Sequence, residues 1–86
     1  MISDASTRRL KQRVASLFAS DSWARLKLLE TIGVWQASER KHGDHVGDLD
    51  RLKRRIRRWW RDATTWLRLS RELDAWDRAE QKRGIR

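Results

Sequence analysis

Apolar residues along the chain recur at helical rather than strand spacing. Leu10, Val14, Leu17 and Phe18 stand at i, i+4, i+7 and i+8, one stripe of a helix, behind Asp4 as a candidate N-cap. This predicts a first helix over about 5–18. Ser20-Asp21-Ser22 offers fresh capping side chains, and Trp23, Leu26, Leu28, Leu29, Ile32, Val34 and Trp35 carry a second helix over about 22–40. At ~100° per residue, Leu28, Leu29, Ile32 and Trp35 cover one arc, and Trp23, Leu26 and Val34 the opposite one. A helix apolar on two sides is expected between two layers. The stretch from Ser38 to Asp48 holds two Gly, two His and mostly charged residues. It reads as the main loop, over 41–48.

From Asp48, a second candidate N-cap, the pattern turns regular. Leu49, Leu52, Ile56, Trp59, Ala63, Trp66, Ser70 and Leu73 alternate three and four apart, the spacing of a coiled-coil-like seam. A long third helix over about 49–82 follows, ~50 Å at 1.5 Å per residue. After Leu67 the apolar residues Leu69, Leu73 and Trp76 shift by ~100° around the wheel, so Ala63-Thr64-Thr65 or Ser70 is a candidate kink. Asp74 and Arg78 make an i,i+4 pair, and residues 81–86 are expected to fray.

Composition narrows the class. With Pro 0 and Gly 4, the turn-formers of a multi-stranded sheet are scarce. The expectation is an all-α fold, a three-helix hairpin or bundle with a long, kinkable C-terminal helix, in one small domain over 1–86. Hydrophobic and charged residues are each 38% of the 86, so the core is thin, yet six Trp and ten Leu supply burial that disordered chains lack. Association with a partner or a second copy is expected to complete it. Cys 0 excludes a disulfide scaffold, Cys-based zinc sites and thiol catalysis, and makes a cytoplasmic address the expectation. The longest unbroken apolar run is Leu17-Phe18-Ala19, far short of a spanning helix or a signal-peptide core. The chain reads as soluble or peripheral.

The net charge is +9, and its distribution is more informative than its size. Residues 1–50 hold eight Lys/Arg against seven Asp/Glu, and residues 62–86 hold six against five. The window 51–61 holds Arg51, Lys53, Arg54, Arg55, Arg57, Arg58 and Arg61 with no acid. On a helical wheel these seven spread over the arc opposite the Leu/Ile/Trp stripe. Like charges at i,i+4, such as Arg51 with Arg55 and Arg54 with Arg58, each cost about 0.2–0.5 kcal/mol, and an anionic partner would offset them. Guanidinium forks phosphate and carboxylate bidentately and stacks on aromatic faces. Nucleic acid, RNA or DNA contacted through its backbone, is the favoured polyanion. An acidic protein surface is the alternative partner, and a membrane surface is less favoured.

Trp35, Trp59 and Trp66 sit at helical spacing with Leu and Ile and read as core. Trp23, Trp60 and Trp76 lie at edges or on opposite arcs and read as partner anchors. His42-x-Asp44-His45-x-x-Asp48 matches no metal-ligand spacing, so neither metal nor cofactor is expected. No nucleophile stands beside a base, and no Gly-rich phosphate loop is present. The expected function is therefore a non-enzymatic basic helical module that binds nucleic acid. The alternative is a small helical adaptor, assembly factor or subunit, docking an acidic protein surface through Trp anchors and the Arg face.

Overall fold

A computed structural model describes residues 4–41 and 48–84. Four helices account for most of them: α1 (Asp4–Leu17), α2 (Ser22–Lys41), α3 (Leu49–Arg57) and α4 (Ala63–Lys82). The all-α class holds, and no strand occurs among the described residues. Three of the four start at an aspartate cap. Asp21 Oδ1 accepts from the Ala24 N–H at 3.0 Å ahead of α2. Asp48 accepts from the Asp50 and Arg51 N–H groups at 2.9 and 3.3 Å ahead of α3, and Asp62 from the Thr64 N–H at 3.0 Å ahead of α4. Each carboxylate satisfies helix N–H groups that lack an intrahelical partner and meets the positive end of the macrodipole. Asp4, expected as a cap, is itself the first residue of α1, and its carboxylate reaches across to Gln36 and Arg40 of α2.

The third helix expected over 49–82 is two helices, 9 and 20 residues long, separated at 58–62. The protein's longest dimension is 31 Å, so a 50 Å rod is excluded. The interruption falls just before Ala63-Thr64-Thr65, whereas Ser70 lies within α4. Asp62 supplies the physical reason. Its extended backbone (φ −89°, ψ 105°) cannot continue a helix, and its carboxylate also takes the Thr64 Oγ1–H at 2.6 Å. The ~100° shift of the apolar stripe is the register of a separate helix. Leu69, Leu73 and Trp76 are its buried face, while Ala63 of the supposed seam is exposed. Asp74 pairs with Lys53 of α3 through a 2.7 Å contact rather than with Arg78. The C-terminal turn is helical to Lys82 and closes at Gly84, whose φ of 75° is the left-handed conformation that ends helices most cheaply with glycine.

Neighbours around the bundle run α1, α2, α3, α4 and back to α1. Leu10 and Val14, Leu28 and Ile32, Leu52 and Ile56, and Leu69 and Leu73 fill the middle, all fully buried. Trp35 of α2 and Trp76 of α4 meet edge to face across the diagonal with ring centroids 6.2 Å apart. Their indole N–H groups tie down segment ends: Trp35 donates to the Asp48 carbonyl at 2.9 Å, and Trp76 to the Ser6 carbonyl at 3.0 Å. Every neighbouring helix pair also carries an ion pair: Asp4 with Arg40, Glu39 with Arg51, Lys53 with Asp74, and both Arg9 with Glu80 and Arg13 with Glu72 between α1 and α4. The second apolar arc of α2 is not covered by another layer. Trp23, Leu26 and Val34 are exposed by 64, 63 and 50%. No helix among the described residues is long and apolar enough to cross a membrane.

Candidate functional site

Helix α3 is short and strongly two-sided. Leu52 and Ile56 anchor one side in the core, and the cations project from the rest. The fold divides the seven basic residues into two groups. Arg51 Nη1 lies 2.9 Å from Oε2 of Glu39, whose side chain is 1% exposed, and Arg51 Nε lies 3.5 Å from Asp48. Lys53 is held by Asp74, and Arg57 stacks its guanidinium 5.1 Å from the centroid of Trp66. These three have partners within the fold, which sets them apart from the other four of the seven residues expected to bind. The segment is acid-free along the sequence but not in space, because α2 and α4 bring acids to it.

Arg54, Arg55, Arg58 and Arg61 form the second group. Arg54, Arg58 and Arg61 are exposed and Arg55 is half-buried, and no ion pair joins any of them to an acid of the described residues. Arg54 of α3 and the C-cap Arg58 lie at i and i+4 on one side, with Arg55 ~100° around the helix from Arg54. Arg61 lies in the break.

The anchors sort differently from expectation. Trp76 is 1% exposed and Trp60 9%, so both are core residues, a correction to their reading as partner anchors. Trp60 packs edge to face on Phe18 with centroids 5.2 Å apart and donates its indole N–H to the Asp62 carbonyl at 3.0 Å. A large ring with a satisfied N–H is worth more inside a small core than outside it. Trp23 alone of the three is solvent-facing. Trp35 is core as expected, while Trp59 and Trp66 are half-buried at its margin.

The break between α3 and α4 meets the α1–α2 turn at one end of the bundle, and a cleft of about 740 Å³ opens there. Its apolar wall is a relay of rings. Phe18 contacts Trp60, Trp60 lies 5.3 Å from Trp59, and Trp59 meets Trp23 edge to face at 5.6 Å. Trp59 is fixed by donating its N–H to Thr31 Oγ1 at 3.2 Å, and Thr31 in turn donates to the Lys27 carbonyl. Arg58, Arg61 and Arg68 line the same cleft with two acids, Asp21 and Asp62. Both acids are occupied as helix caps. The hydrogen bonds from the Thr64 hydroxyl and N–H hold the Asp62 carboxyl below its ordinary value, so it stays anionic and fixed to α4.

Two parts of this arrangement do not follow from the sequence pattern. Arg68 lies outside the 51–61 window, on α4 beyond the break, and only the turn at 58–62 brings it beside Arg61. The pairing of Trp23 with Trp59 joins residues 36 positions apart in the chain, and no local pattern carries it. His42, Asp44 and His45 lie outside the described residues, and Asp48 serves as the α3 cap. No family model, curated protein or solved structure compared with the chain matches it.

Proposed function

We propose that the chain is a non-enzymatic nucleic-acid-binding module in which Arg54, Arg55, Arg58 and Arg61 contact the phosphate backbone. The observation that carries this reading is local: of the seven cations in the 51–61 window, four guanidinium groups have no acid of the described residues in ion-pair contact, and they are grouped on α3 and its exit. Like-charged neighbours at that spacing favour a polyanion that spans them all. The use of Asp21, Asp48 and Asp62 as caps and of Asp4, Glu39, Glu72, Asp74 and Glu80 in interhelix ion pairs supports a binding role rather than a catalytic one.

A salt titration tests the reading. Four phosphate contacts give a slope of log affinity on log salt of about −3 to −4, and each Arg→Ala change flattens it by about one unit. Undetectable or salt-insensitive association with mixed RNA and DNA refutes it. The exposed Trp23, Leu26 and Val34 on α2 favour a second reading, a helical adaptor or subunit on an acidic protein. That reading expects a protein to co-purify after nuclease treatment and to be lost in Trp23→Ala and Leu26→Glu.

A further inference from the structure

We propose that the cleft between the α1–α2 turn and the α3–α4 break receives one unstacked base of a single-stranded nucleic acid, with Trp23 as the stacking platform and Arg58, Arg61 and Arg68 on the flanking phosphates. This rests on the nucleic-acid reading above and adds to it a site, a strand preference and two residues outside the basic window.

The cleft's volume, about 740 Å³, falls within the ~300–1,000 Å³ of small-molecule sites, so it has room for a group the size of a base with its sugar. Trp23 is 64% exposed, yet it is not loose, because the edge-to-face contact with Trp59 braces it and Trp59 is pinned by Thr31. An exposed aromatic held against a pinned neighbouring ring presents a stacking surface with little ordering cost on binding. The charge around it is biased toward an anion. Three guanidinium groups line the cleft, and its two carboxylates are turned to the N-termini of α2 and α4, whose positive dipole ends compensate them. A planar aromatic ring flanked by phosphates is the repeating unit of a nucleic acid strand. In a duplex both faces of each internal base are covered by its neighbours, so only a single strand, loop or frayed end offers a base to Trp23.

Fluorescence anisotropy of the full chain with three labelled probes tests this: a short oligothymidylate, a strand of equal length with abasic sites, and a blunt duplex. The oligothymidylate is expected to bind about ten-fold more tightly than the abasic strand, which carries the same phosphates and nothing to stack. Trp23→Ala removes that difference and leaves abasic binding unchanged, whereas Arg54→Ala with Arg55→Ala weakens all three probes together. Equal binding of the oligothymidylate and abasic strand, with steep salt dependence retained, overturns the cleft and leaves the backbone-binding reading standing. A duplex preference does the same. Failure of all three probes overturns both readings, and binding of polyglutamate in their place identifies an acidic protein surface as the target. The abasic comparison needs no variant and decides the matter even if Trp23→Ala does not fold.

Discussion

Arg51 of α3 donates to the carboxylate of Glu39, a side chain of α2 that is 1% exposed, across 2.9 Å. The acid is buried and the cation is half in water, so the pair is asymmetric. Arg51→Ala leaves a buried carboxylate without this cation and is expected to cost about 2 kcal/mol, below the 3–5 of a fully buried pair because solvent reaches the vacated side. Arg54→Ala, three residues along the same helix, is expected to leave the urea midpoint unchanged. Equilibrium denaturation of the two variants distinguishes a structural cation from a surface one.

Trp76 and Trp23 make the corresponding pair among the aromatics. Trp76→Ala removes a fully packed indole and its bond to the Ser6 carbonyl, with an expected loss of about 3–5 kcal/mol. A domain of this length has roughly 4–13 kcal/mol in total, so the variant sits at the edge of folding. Trp23→Ala should retain its helix content. Far-ultraviolet circular dichroism melts compare them directly.

The Asp62 cap makes the break between α3 and α4 testable. Asp62→Ala frees the Thr64 N–H and hydroxyl and is expected to lower the thermal midpoint, while Asp62→Asn, which still offers a carbonyl oxygen, retains more of it. An Asp62→Ala variant as stable as the parent would show that packing of Trp60 alone holds the corner.

Acid should destabilise the protein through carboxylates whose charged form the fold favours, the buried Glu80 and the exposed Asp4 and Asp62. Burial pushes the Glu80 carboxyl up, but hydrogen bonds from Arg9 and Ser6 and the charges of Arg9 and Arg83 outweigh it and hold the group below its ordinary 4.5. A depressed carboxylate contributes stability that is fully present above its unfolded value and disappears as pH falls through the folded one. Stability is therefore expected to be level from neutrality to about pH 5 and to fall below about 4.5, with Asp4 and Asp62 adding to the loss below about 3.8. Glu80→Gln should be less stable at pH 7 and lose less on acidification. Denaturation midpoints at a series of pH values check both.

Much of this architecture is legible in the sequence. The stripe of Leu10, Val14, Leu17 and Phe18, the capping side chains of Ser20-Asp21-Ser22 and the cap at Asp48 place the first two helices and the start of the third to within about a residue. The division at 58–62 was half visible: the shifted stripe was there, but an unbroken run of three-and-four spacings from Leu49 to Leu73 argued for continuity. Spacing records only which residues would share a face if the helix continued, and Asp62 made it stop.

The sequence by itself determined the helical class, where three of the helices begin, and the concentration of seven cations in eleven residues. Those properties follow from neighbours within a turn or two, through side-chain spacing, capping and local charge. Tertiary structure decided which cations are already answered, which Trp are buried, and that Trp23, Arg61 and Arg68 share a cleft. Each of those outcomes depends on contacts between distant segments, Glu39 with Arg51, Asp74 with Lys53 and Trp23 with Trp59. Periodicity within one helix states which side is apolar. Packing against the others settles whether that side is covered and which charge stands opposite it.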